Sequence, residues 1–119
     1  MAYRAIRMED LHAGKKHRQP GNLVLDVRSA AEYRRGHVPG SWNIPVREVE
    51  RHPGHLRRPL ASFDTVYVHC SSGPRAKRAY DALERTGLSN LVHVRESGMP
   101  QWVRRRYAAR VRSALRSDP

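Results

Sequence analysis

Residues 65–75 read Thr65-Val66-Tyr67-Val68-His69-Cys70-Ser71-Ser72-Gly73-Pro74-Arg75. A β-branched and aromatic run leads into the only cysteine of the chain, an arginine follows five residues later, and a helical pattern begins. The spacing predicts a strand, a tight loop and a helix. So short a connection must curl its backbone around the cysteine sulfur, and the helix start directs free N–H groups at the same spot. Gly73 supplies the conformational freedom that such a curl needs. Pro74 fits the first helical position, where a missing N–H costs nothing. Arg75 adds a fixed charge on a planar donor fork. Together these features favour a thiolate and a bound oxyanion: free thiols titrate near ~8.5, and helix N-termini with nearby cations bring that to roughly 3.5–7.5. Taken alone, the cysteine also reads as a small hydrophobe buried at a strand end.

Upstream, Leu23-Val24-Leu25 is a continuous apolar run, as in a strand covered on both faces. It ends at Asp26-Val27-Arg28. Open α/β sheets collect functional groups at the carboxyl ends of their strands. Asp26 and Arg28 are therefore candidate substrate contacts on the edge that carries Cys70; the alternative is an ion pair that orders the loop. Ser29 and Glu32 have the spacing of a capping box, and the helix they start closes at Gly36. The segment Gly36-His37-Val38-Pro39-Gly40-Ser41-Trp42-Asn43-Ile44-Pro45 predicts an ordered loop with a brief strand around Trp42. Within it, His37 is expected to bond backbone rather than to catalyse. One or two helical turns follow over 46–51. Residues 52–59, with Pro53-Gly54 and several basic groups, read as a surface excursion anchored by Leu60.

Downstream of the cysteine loop, Ala76, Ala79, Tyr80 and Leu83 fall on one helical face, and Gly87 is a C-cap. Leu91-Val92-His93-Val94 is another apolar strand. Ser97-Gly98 marks a turn. Met99, Trp102, Val103, Tyr107 and Val111 then have the spacing of a last helix over about 100–115, with Arg104, Arg105, Arg106, Arg110 and Arg112 on its solvated face. At the front, residues 3–6 are a short edge strand, and residues 8–13 a short helix anchored by Leu11 and stopped at Gly14. Pro20-Gly21 signals a turn. His12 and His17 match no ligand spacing and are expected in solvent. Strands that alternate with helical patterns give an α/β fold with a parallel sheet and helices on both faces.

At 119 residues, the chain has room for one core. A single cysteine excludes an internal disulfide. Positions 1–20 hold no apolar run suited to a signal peptide, and no stretch reaches transmembrane length, so a cytoplasmic protein without membrane contact is expected. Neither a metal nor a cofactor is implied by any motif. The net charge of +12 comes from 23 basic and 11 acidic side chains. Its positive field suits small anions or an acidic protein partner. Aromatic residues make up 7% and form no platform with basic ones, which disfavours nucleic acid.

Three segments together resemble one family. Leu25-Asp26-Val27-Arg28 with Glu32, then Gly36-His37-Val38-Pro39-Gly40-Ser41 and Asn43-Ile44-Pro45, is similar to the D-V-R…E…G-H-I-P-G-A…N-I-P signature of rhodanese domains. Cys70 to Arg75 matches the C-x-x-G-x-R active loop, and Ser97-Gly98 through Trp102 resembles a G-G-x-x-x-W segment. The resemblance spans roughly positions 3–107 of what the length makes one domain, and the basic helical extension over about 108–119 lies outside the family pattern. It implies a three-layer fold, with a central parallel five-stranded sheet and helices on both faces. It also implies sulfur transfer through a cysteine persulfide, from thiosulfate or a persulfide donor to cyanide or a thiol. On this resemblance Cys70 is the nucleophile and the backbone of Ser71, Ser72, Gly73 and Pro74 the substrate cradle. Arg75 steadies charge and loop, with Asp26 and Arg28 beside it. A phosphatase or arsenate reductase of the related kind has a loop one residue longer, and a binding module often lacks the cysteine. Ser97 departs from the usual glycine pair, and the two serines after Cys70 stand where larger or charged groups are common.

Overall fold

The computed structural model describes residues 3–71 and 73–95. Ser72, the Ser97-Gly98 turn, Trp102 and the expected last helix lie outside the described residues. The three apolar runs form the inner strands β2 (Asn22–Asp26), β4 (Thr65–His69) and β5 (Leu91–Val94), and two-residue strands β1 (Ala5–Ile6) and β3 (Trp42–Asn43) close the edges. The order is β1-β5-β4-β2-β3, and every pairing is parallel. Parallel neighbours require crossovers, and helical segments supply them. These are α1 (Met8–Ala13), α2 (Ala30–Arg35), α3 (Val46–Arg51), α4 (Pro53–Ala61) and α5 (Pro74–Glu84), with a 3-10 turn at Lys16–Arg18.

The two-residue period of a strand divides the core. Leu23, Leu25, Val66, Val68 and Leu91 face α3, α4 and α5, while Val24, Tyr67, Val92 and Val94 pack with Met8 and Leu11 of α1 and with Val38. Completely buried side chains such as Leu25, Leu60 and Leu83 each contribute about 1.5–3 kcal/mol relative to an exposed position. The paired strands β2 and β4 run in register from Asn22 opposite Thr65 to Asp26 opposite His69. Their carboxyl ends therefore finish together, and the loops after them share one edge.

Most boundaries follow the expected local signals. Helix α1 covers the expected residues and is followed by Gly14. Ser29 caps α2: its Oγ accepts the Glu32 N–H at 3.2 Å, and its own N–H donates to Glu32 Oε1 at 3.0 Å. The Pro20-Gly21 turn is locked by Gly21, whose φ is +87°; its carbonyl accepts the Asp64 N–H at 2.7 Å. This contact ties the start of β2 to the start of β4.

The 52–59 segment corrects the sequence reading. It lies mostly on the surface and Leu60 is its buried anchor, as expected, but it is not irregular: Pro53–Ala61 is helical, with only His52 between α3 and α4. Pro53 sits in the first turn, where its ring pre-sets the helical φ. Leu56 and Leu60, one turn apart, turn to the core and offset the N–H that Pro59 lacks. His12 and His17 differ too: both are half-buried, and their rings stack 6.3 Å apart. Among the described residues no helix is long and apolar enough to cross a membrane.

Candidate functional site

Strand β4 delivers Cys70 to the sheet edge, and α5 begins four residues later. Gly73, at φ +117° and ψ −39°, makes the turn between them, in a region that side chains with a Cβ rarely enter. That conformation points the Gly73 N–H back at the cysteine, where it donates to Sγ at 3.0 Å. Cys70 is 1% exposed and continues the inward row of Val66 and Val68. The sulfur is thus sheltered by the core on one side and held by a backbone amide on the other. Ser71 is half-buried, while Pro74 opens α5 with its ring exposed. Arg75 and Ala76, in the first turn, have amides without intrahelical acceptors.

Asp26 ends β2 and Arg28 follows two residues later on the same edge, as the parallel sheet requires. Their side chains turn to each other. Arg28 donates from Nε to Oδ1 at 3.0 Å and from its terminal nitrogen to Oδ2 at 2.7 Å, and that nitrogen also reaches the Gly36 carbonyl at 2.8 Å. Asn43 donates to the carbonyls of Asp26 and Arg28 at 3.0 and 2.9 Å, which fixes the turn from outside. Asp26 is fully buried and Arg28 is 6% exposed, so this is the loop-ordering ion pair. Burial alone would raise the Asp26 carboxyl, but the nearby His69 and Arg28 outweigh it and hold the carboxyl below its ordinary value. The His69 ring lies 3.5 Å from Asp26 Oδ2 and donates from Nδ1 to the Cys70 carbonyl at 3.2 Å. Complete burial pushes His69 below its usual range, leaving Arg28 as the lasting counter-charge at neutral pH.

Arg75 is turned toward α2. Its two terminal nitrogens bond the Glu32 carboxylate at 2.7 and 3.0 Å, a bidentate pair that ties the start of α5 to the start of α2. The Arg75 hydrogen bond pulls the Glu32 carboxyl down to about 2. In turn Glu32 raises the Arg75 guanidinium, with Cys70 and Asp26 adding to the pull through space. Glu32 therefore caps a helix with one oxygen and anchors the loop arginine with both. His37 behaves as expected of a turn histidine: fully buried, it stacks on Tyr33 at 3.6 Å and donates from Nδ1 to the Tyr33 carbonyl at 2.7 Å.

Two residues that the sequence reading did not single out reach the loop, one directly and one through the other. His93 lies on the face of β5 that meets α5, and its Nε2 is 3.0 Å from the Gly73 carbonyl. Tyr3 reaches His93 Nδ1 with its hydroxyl at 2.6 Å. The available signal was a histidine interrupting an apolar strand. Among the described residues no group of three or more metal-ligating side chains exists. The arrangement holds the sulfur beside the Gly73 N–H, with the Glu32-anchored guanidinium of Arg75 in the first turn of the following helix, which suits nucleophilic chemistry at sulfur.

A protein named as a putative sulfur carrier protein from Bacillus subtilis is 34% identical over 79 residues, covering 66% of this chain and 40% of that protein. A thiosulfate sulfurtransferase from Escherichia coli is 32% identical over 75 residues, covering 62% of this chain and 66% of that one. The match with the Bacillus protein thus spans well under half of its length. Among solved structures, a rhodanese-related protein from Thermoplasma volcanium superposes with a TM-score of 0.73 at 31% identity, over 92% of this chain and 100% of that one. The model of the rhodanese-like domain matches residues 8–105, from α1 through the loop that holds Cys70 and beyond, and on that match the chain belongs to the rhodanese-like domain family.

Proposed function

We propose that the protein is a sulfurtransferase that carries sulfane sulfur on Cys70. The Cys70 thiolate attacks the outer sulfur of thiosulfate, the sulfur–sulfur bond of the donor breaks with its electron pair leaving on sulfite, and Cys70 retains a terminal persulfide anion. Cyanide or a thiolate then attacks that terminal sulfur, and Cys70 leaves as thiolate. A persulfide donor follows the same course, with a thiolate in the place of sulfite. Each half-reaction conserves charge and needs no external oxidant, as expected of ping-pong covalent catalysis. The observation that carries this reading is the 3.0 Å contact from the Gly73 N–H to Cys70 Sγ within a strand–loop–helix turn. A backbone donor so placed favours the anionic sulfur before and after transfer, and losing one such donor typically costs ~2.7–4 kcal/mol in the transition state.

Ser71, Ser72, Gly73 and Pro74 supply the cradle in this reading, and Arg75 holds the helix start in place through Glu32. Asp26 and Arg28 enter as the rigid floor beside the cradle. Direct contact with substrate falls to the loop backbone. The six-residue span from Cys70 to Arg75 favours a sulfur anion over the larger tetrahedral substrate of a phosphatase. The burial of Cys70 favours a second reading, a binding module without turnover. Intact-mass spectrometry separates the two. Incubation with thiosulfate is expected to add one sulfur atom, cyanide to remove it with release of thiocyanate, and Cys70→Ser to abolish both events. A parent protein that never gains sulfur supports the binding module and overturns the enzyme.

A further inference from the structure

Glycine is the only residue that enters the Gly73 conformation easily, but its freedom also lets the peptide leave it. Something must hold Gly73 in place. The Lys77 N–H bonds the Gly73 carbonyl at 2.9 Å as the first turn of α5, and the same carbonyl receives His93 Nε2 at 3.0 Å from the sheet. A carbonyl oxygen only accepts, so Nε2 carries the proton. Burial pushes His93 below its ordinary value, hence the ring is neutral and Nδ1 is an acceptor. The Tyr3 hydroxyl must then donate to Nδ1, at 2.6 Å. The order Tyr3 hydroxyl, His93 ring, Gly73 carbonyl thus runs in one direction, and the backbone conformation of Gly73 links that carbonyl to the N–H on Cys70 Sγ.

We propose that Tyr3 and His93 are positioning residues for the reaction at Cys70, clamping the carbonyl side of Gly73 so that its amide stays on the sulfur. The surroundings favour one ring orientation. Strand pairing places Ala5 beside His93, and the His93 N–H donates to the Arg4 carbonyl at 2.8 Å. Tyr80 of α5 packs edge-on against Tyr3 at 5.4 Å and bonds the Arg4 N–H through its hydroxyl. Lys77 Nζ sits 5.2 Å above the Tyr3 ring, and its charge is shared with Asp81 at 2.7 Å. Tyr3 is 49% exposed, a position that burial alone does not explain for a large aromatic residue.

This inference rests on the sulfur-transfer reading, and its test is built to fail separately from it. The variants His93→Phe, His93→Gln and Tyr3→Phe are compared with the parent in two assays at one fixed pH. One is alkylation of Cys70 by iodoacetamide, and the other is single-turnover sulfur uptake over a range of thiosulfate concentrations up to saturation, both followed by intact mass. His93→Phe is expected to slow alkylation about threefold to tenfold, the span one hydrogen bond commands. Sulfur uptake is expected to slow alongside it, with the concentration for half-maximal rate unchanged. His93→Gln, whose amide restores a donor near Nε2, is expected to recover most of the rate, and Tyr3→Phe to cost about twofold to threefold. Equal rates in His93→Phe and the parent, or His93→Gln as slow as His93→Phe, would overturn the proposal. Should His93→Phe not fold, Tyr3→Phe decides the matter, and parent-like rates in that variant refute the clamp. A parent that alkylates but never takes up sulfur removes the sulfur-transfer reading, and the alkylation series still judges the positioning role.

Discussion

Replacing Glu32 by Gln removes the charge of the Arg75 pair while keeping its shape. Gln retains the oxygen that accepts the Ser29 N–H, so the cap of α2 survives and the loss falls on the link to Arg75. A carboxyl held at about 2 against an ordinary 4.5 sets a ceiling of about 3 kcal/mol. The side chains of Arg75 and Glu32 are 34% and 30% exposed, so water and salt screen the pair, and we expect ~1 kcal/mol at pH 7. For a domain of this size that corresponds to about 3–5 °C in Tm. The pH dependence has a definite sign. Because the folded value is depressed, the contribution is complete above pH 4.5 and is lost as pH falls toward about 2. Urea titrations followed by far-UV circular dichroism at pH 7, 4.5 and 2.5 read the gap between parent and variant. A gap of ~1 kcal/mol that closes at the lowest pH supports the argument. Equal stability at pH 7, or a gap that persists in acid, refutes it.

Asp26→Asn leaves the Arg28 charge buried without its partner and is expected to cost about 3–5 kcal/mol in urea titrations, of which Arg28→Met in the same chain restores a large part; a loss below ~1 kcal/mol would contradict the ion-pair account. Gly21→Ala puts a Cβ 2.3 Å from Asp64 Oδ2 in a left-handed backbone and is expected to cost about 1–2 kcal/mol or more. Adding Asp64→Ala should return only the steric share, and full recovery would show that backbone strain at this turn is negligible.

The strand–loop–helix around Cys70 was legible in the sequence because its signals are local: a β-branched run, a glycine that needs positive φ and a proline suited to a helix start. The five-stranded sheet was implied by the family resemblance and its parallel arrangement by the alternation of elements, whereas the strand order β1-β5-β4-β2-β3 came only from the structure. Helix α4 was missed because Pro53-Gly54 and Pro59 read as breakers, whereas tertiary contacts of Leu56 and Leu60 decide the matter. The partners of the site residues were less accessible. Arg75 is joined to Glu32 across 43 positions of sequence and His93 to Gly73 across 20, and nothing local encodes either pair. Glu32 carried a helix-capping signal that accounted for its presence, so its second role was hidden behind the first. Asp26 and Arg28 admitted two readings, and burial decides that they bond each other.

Strand β1 has only two residues and a single neighbour. Such margins detach most readily, with opening free energies far below that of the whole domain. Yet Tyr3 stands just ahead of it, and the His93 and Arg95 amides depend on the carbonyls of Arg4 and Ile6, beside and within it. Detachment of this flank would therefore slacken the surroundings of Cys70 while both cores stayed intact. Hydrogen exchange at those two amides should consequently track thiol reactivity, and neither need follow global unfolding.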